Sequence, residues 1–202
     1  MLLVIAALLS ALTVPLAGGR LSRLADAKLR GTPLILGALG IQVVITTLMP
    51  GGDPALHKVV HVGTYGLAAA FLILNRRIAG TMLVAVGAGL NLLAITANNG
   101  VMPAAKSALR TAGQLTNTKE FLNSTVVAHP RLLFLGDVFA TPKSWPFANV
   151  YSIGDLCIAA GGALAIHALC GSRLMRRSAG SHDEDRGAPI GRHHAERGAR
   201  AE

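Results

Sequence analysis

The chain has 202 residues, of which 51% are hydrophobic and only 14% charged, with a mean hydropathy of +0.49; an ordinary soluble domain is about a quarter charged. The formal net charge of +9 does not point to nucleic acid, because the cations punctuate apolar segments and no basic face interleaved with aromatics is present. Cys157 and Cys170 lie thirteen residues apart in one predicted helix. That is about 20 Å along the axis, beyond disulfide reach.

Five apolar segments follow one another along the chain, at residues 1–18, 33–50, 59–75, 78–97 and 152–171. Each approaches the roughly 20 residues that cross a hydrocarbon core. The fold class they predict is an all-α, polytopic transmembrane helix bundle of five spans. The first segment has no basic residue before its apolar run, and Arg20, Arg23, Lys28 and Arg30 follow it. That is the wrong polarity for a cleaved signal, so it reads as a retained span. Thirteen of the nineteen Lys and Arg then fall in 19–32, in the Asn75-Arg76-Arg77 turn and after Gly171. This distribution predicts a plasma-membrane protein with its N-terminus outside and its C-terminus cytoplasmic. The expected partners are the lipid bilayer and other membrane proteins.

The long segment 98–151 is then extracytoplasmic and forms part of a bundle covering residues 1–177. Within it, residues 103–114 predict a short helix opened by Pro103. Residues 132–139, "LLFLGDVF", suit a re-entrant or interfacial piece. Trp145, Phe147 and Tyr151 suit a headgroup-level aromatic belt. The polar stretch 178–202 cannot bury enough apolar surface to fold and reads as a disordered cytoplasmic tail.

The fourth segment carries Gly80, Gly87, Asn91, Ala94 and Asn98 at three-, four- or seven-residue steps, one small-and-polar stripe on an otherwise aliphatic helix. An amide as deep as Asn91 needs an interhelical partner, since a polar group left unpaired in an apolar setting costs several kcal/mol. The stripe therefore faces protein. Asn98-Asn99-Gly100 suits a helix end with a left-handed residue. The fifth segment opens with Ser152-Ile153-Gly154-Asp155, an approximate capping box, and Gly154, Gly161, Ala165 and Ala168 give it a thin face.

Candidate chemistry centres on a polar cluster of Asn91, Asn98, Asn99, Asp137 and Asp155, with His61 beside it. Paired carboxylates can bind a cation or do acid–base work; capping and loop anchoring explain the same residues without any ligand. Asp53, His57 and His61 share a helical face, but Asp53 also suits an N-cap next to Pro54, and nothing completes a metal site. No nucleophile–base pair or nucleotide fingerprint occurs, so neither a cofactor nor a catalytic residue is expected. The leading expectation is a non-enzymatic structural or interaction protein. Alternatives are a small-solute or cation transporter or sensor, and an enzyme using Asp137 and Asp155 on a lipid-linked substrate.

The stretches "HVGTYGLAAAFLILNRR", "GLNLLAITANNGVMP", "FLGDVF" and "VYSIGDLCIAAGG" resemble an uncharacterised bacterial family of small multi-spanning membrane proteins, a domain of unknown function. Gly100, Met102 and Pro103 match its Gly-x-Met-Pro phrase, and Asp137 and Asp155 its paired Gly-Asp phrases. The resemblance implies a fold and a location, and no activity.

Overall fold

The computed structural model describes residues 2–45, 54–114, 124–125, 127 and 129–175, with the backbone alone at 54–58, 61–62 and 124–125. The expected tail 178–202, and Asp53, lie outside the described residues. Helix α1 spans Leu2–Leu16, the single turn α2 Ser22–Ala25, α3 Thr32–Val43, α4 Pro54–Leu74 and α5 Thr81–Ala97. The short α6 (Lys106–Thr111) follows, and α7 (Ile153–Leu169) closes the described fold.

The helices lie in the order α1, α7, α5, α4, α3, so that α1 and α3 are the outer members. The closest pairing joins α5 to α7, antiparallel, and glycines make it possible. A Cβ on Gly80 would overlap the Gly161 carbonyl, and one on Gly87 would overlap the Gly154 carbonyl. The reciprocal pairs are equally tight: a Gly161 Cβ would sit 2.7 Å from the Gly80 carbonyl oxygen. The seven-residue spacing of both glycine pairs puts them on one face of each helix. The stripe predicted from the sequence thus faces protein: Gly80 and Gly87 lie on α7, and Ala94 and Asn98 are buried.

Four helices end in the same way. The N–H of Gly19, Gly100, Gln114 and Ser172 donates to the carbonyl five residues back, on Val14, Ile95, Leu109 and His167 respectively. This satisfies a carbonyl that a helix end leaves orphaned. The left-handed residue before the donor is glycine in three cases and Asn99 (φ 57°) in the fourth.

Those endings correct the predicted architecture. Among the described residues no helix is long and apolar enough to cross a membrane, which overturns the five-span bundle, the multi-pass plasma-membrane location and the outside/cytoplasmic orientation built on it. Helices α1, α3, α5 and α7 have 15, 12, 17 and 17 residues. At about 1.5 Å per residue none reaches the roughly 30 Å of a hydrocarbon core. Two of the apolar runs were longer than their helices because their last residues turn: Ala17 and Gly18 close α1, and Cys170 and Gly171 close α7. Helix α4 has 21 residues, and its first two turns carry His57, Lys58 and His61.

Without spans on either side, the reading of segment 98–151 as an outer connection with a re-entrant piece loses its basis. Pro103 does not open a helix. It pairs in strand β1 (Met102–Pro103) with β2 (Ser124–Thr125), in parallel. Its carbonyl accepts the Asp137 N–H, and α6 starts three residues later. Ala104, Ala108, Leu109, Ala112 and Val150 form a small core beneath α6. Residues 133–135 make one 3-10 turn, not an apolar insertion. The expected aromatic belt loses the spans that would place it; Tyr151 stacks on Phe139 at 5.8 Å in the antiparallel β3 (Phe139–Ala140) and β4 (Val150–Tyr151) pair, while Trp145 and Phe147 are exposed.

The glycine contacts give a paired test. Gly161→Ala places a methyl against the Gly80 carbonyl and Val84, and we expect a loss of about 1–3 kcal/mol in denaturant unfolding. Gly162→Ala meets nothing within 4 Å, so helix propensity alone makes it neutral or stabilising by up to about 1 kcal/mol. Equal effects at both positions would show that the α5–α7 approach is not tight.

Candidate functional site

The α5–α7 contact sets the geometry of the polar cluster. Ser152 is the N-cap of α7: its hydroxyl accepts the Asp155 N–H at 3.0 Å, while the Asp155 Oδ2 accepts the Ser152 N–H at 3.0 Å. This is the capping box expected from the sequence, and it satisfies two orphan donors reciprocally. Opposite it on α5, Asn91 completes a ring. Its Nδ2 donates to Asp155 Oδ1 at 2.9 Å, and its Oδ1 accepts the Ser152 hydroxyl at 2.8 Å. A Cβ on Gly154 would overlap Asn91 Oδ1, so glycine at that position is what lets the amide reach the cap.

Tyr65, on α4, adds a third helix to this neighbourhood. It is half-buried, and burial pushes its phenol above the ordinary value of 10.0, with the negative charge of Asp155 adding to the rise. Both causes penalise the phenolate. The cluster is therefore Asn91, Ser152 and Asp155, with Tyr65 beside them.

The other expected members are engaged separately. Asn98 is buried at the end of α5, where its Nδ2 donates to the carbonyls of Ala94 (2.8 Å) and Arg131 (2.7 Å) and its Oδ1 accepts the Arg131 N–H at 2.9 Å. That bidentate grip ties residues 130–132 to the helix. Asn99 is exposed in the left-handed turn. Asp137 is buried, and its own backbone bridges to the 103–105 segment: its N–H donates to Pro103 and its carbonyl accepts the Ala105 N–H. The side chain of His61 lies outside the described residues.

Two further sites escaped sequence reasoning. Asn75, just past the end of α4, repeats the Asn98 arrangement: Nδ2 donates to the Arg30 and Phe71 carbonyls at 2.7 and 2.8 Å, and Oδ1 accepts the Arg30 N–H at 2.9 Å. A lone amide in the turn before Arg76-Arg77 was the one signal for it. His167, buried in the last turn of α7, lies 3.1 Å from both Thr13 Oγ1 and Ser172 Oγ. The two hydroxyls thus engage both ring nitrogens, Nε2 and Nδ1. This histidine fixes α1 to α7.

No group of three or more His, Cys, Asp or Glu among the described residues is placed to hold a metal ion. Every buried side-chain nitrogen or oxygen among them has a hydrogen-bond partner. The fold and its polar sites thus define a small helical unit pinned by amide, hydroxyl and carboxylate contacts. The chain belongs to the family of unknown function DUF5317, whose model matches residues 26–167. No curated protein and no solved structure matches the chain.

The cluster has two measurable consequences. A double-mutant cycle of Asn91→Ala and Asp155→Ala should return a coupling of about 1.5–3 kcal/mol in unfolding free energy, the range of hydrogen bonds to charged groups; strict additivity would mean the contact carries no energy. The folded phenol of Tyr65 titrates above its unfolded value of 10.0. Its contribution to stability is fully present below pH 10 and is lost as pH rises through the folded value. Ultraviolet titration should show Asp155→Asn lowering the Tyr65 value part of the way back, since burial is the larger cause; an unchanged value would remove Asp155 from its surroundings.

Proposed function

We propose that this DUF5317 protein is a non-enzymatic structural and interaction protein whose outward apolar helix faces dock against protein partners. The observation that carries this reading is the stripe Val4, Leu8, Leu12 and Leu16 on α1. The four recur every four residues on an outer helix and are 55%, 60%, 68% and 86% exposed. Contiguous exposed apolar surface of this kind marks interaction sites, whereas single exposed leucines carry no such meaning. The other outer helix, α3, exposes Leu36, Leu39 and Val43.

The polar cluster supports the same reading. A solute-binding or acid–base role for Asp155 needs carboxylate oxygens directed at a ligand, and here Oδ1 is held by Asn91 and Oδ2 by the Ser152 backbone. Asn91, Ser152 and Asp155 do a structural job, holding two helices in register so that the outer faces keep a fixed shape.

Photo-crosslinking in cells tests the proposal. A photoreactive residue replacing Leu12 should give discrete protein adducts, whereas the same residue at the exposed Arg77 should not. Absence of adducts from Leu12, or the same diffuse set from both positions, would overturn the reading.

A further inference from the structure

The apolar row on α1 ends at a group of cations. Val4, Leu8, Leu12 and Leu16 form one ridge of the helix, about 18 Å from first to last at about 1.5 Å per residue. Directly past it, the segments that leave α1 and α7 are bound to each other: the Arg20 N–H donates to the Cys170 carbonyl at 3.0 Å and the Arg173 N–H to the Ala17 carbonyl at 2.9 Å. Their arginines cross over. The Arg173 side chain lies on Gly18, where a Cβ would stand 3.0 Å from its Nε, and the Arg23 guanidinium lies on Gly171, where a Cβ would overlap it. Arg20, Arg23 and Arg173 are all exposed.

Their charge exceeds what the fold uses. The two bonds bring the C-terminal ends of α1 and α7 side by side, and each such end carries about half a negative charge. Two helix ends thus offset about one of the three cations and leave about two. Residues 19–32 add Lys28 and Arg30 against the single acid Asp26, and residues 1–25 hold no acid. The row is therefore bordered by positive charge at its Leu16 end and carries no carboxylate of its own. A second copy would bring the same cations to the contact and be repelled by them.

We infer that the partner of the α1 stripe is an amphipathic helix with an apolar row matched to Val4–Leu16 and carboxylates at the end that meets Arg20, Arg23 and Arg173. The inference rests on the protein-docking role proposed for that stripe and adds the partner's form and charge. A helix is the form that fits, because residues four apart make a ridge that packs into the groove between the ridges of another helix. A bilayer would make no use of the four-residue period.

Synthetic helices supply the probe. A peptide of about 20 residues, with leucine at every fourth position and three glutamates in its last turn, is compared with versions carrying glutamine or lysine in their place. Each is titrated against the full chain by fluorescence anisotropy. An exposed ion pair is worth up to about fivefold, so three should favour the glutamate peptide over the glutamine peptide by about tenfold, with the lysine peptide weakest. The preference should vanish at about 1 M salt, where the screening length is about 3 Å. It should also vanish in the triple variant Arg20→Gln, Arg23→Gln, Arg173→Gln and survive in Arg20→Lys, Arg23→Lys, Arg173→Lys; loss in both would show that arginine packing, not charge, carries it, and would overturn the inference. Equal affinities for the glutamate and glutamine peptides, with adducts still forming from a photoreactive residue replacing Leu12, would overturn the acidic partner and leave the docking role standing. Absence of adducts with every peptide would overturn both. Displacement of the glutamate peptide by phosphatidylglycerol vesicles, with phosphatidylcholine vesicles inert, would overturn the inference in favour of a lipid surface.

Discussion

The close approach of α5 and α7 is the constraint on which the rest of the structure depends. Two pairs of glycines let the backbones meet where any side chain would overlap a carbonyl. Only at that separation does the Asn91 amide reach both the hydroxyl and the carboxylate of a helix cap on its neighbour. The cap in turn fixes where α7 begins, and so where Gly154 and Gly161 fall against α5. Close contact and hydrogen bonding thus set the same register from two directions. A shift of one residue along α7 loses both.

Side-chain amides recur as clamps elsewhere. Asn75 and Asn98 each sit just past a helix end, return one N–H to the carbonyl four residues back, and grip the peptide of an arginine with the remaining donor and acceptor. An amide is suited to this task because it offers a donor and an acceptor side by side, as a backbone edge does. Each clamp uses two donors and one acceptor, so little is left over for a ligand. Because the clamp holds the arginine backbone, the side chains of Arg30 and Arg131 are left exposed to solvent.

Local features of the chain were legible in its sequence. Ser152 and Asp155, three apart before an aliphatic run, announced the capping box; the periodic Gly80, Gly87, Asn91, Ala94 and Asn98 announced a buried face; Asn99-Gly100 announced a left-handed ending. Long-range partners were not, because nothing in a sequence couples Thr13 to His167 or Arg30 to Asn75. The span reading failed for a related reason. Counting apolar residues does not subtract those consumed by terminating turns, and two such turns, after α1 and α7, take residues from the apolar runs. Pro103 misled because its favourable place in a first helical turn competes with pairing to Ser124–Thr125 and Asp137, and the pairing won.

The distribution of polarity links the fold to the proposed role. Asn75, Asn98, Ser152, His167 and Ser172 are buried, while Leu8, Leu12, Leu16, Leu36 and Leu39 are exposed. Apolar burial is therefore a smaller share of what holds these helices together than in a domain with a leucine core. Glycine-mediated contact and saturated hydrogen bonds take up that role, and both are directional. Directional contacts hold a shape with little margin for sliding, which is what a surface needs if leucines spaced along α1 are to meet a complementary row. The exposed stripe represents hydrophobic free energy not spent on folding, roughly 25 cal/mol for each Å² that a partner covers. The pinned interior keeps that surface rigid, so little of the gain is lost to ordering when a partner arrives.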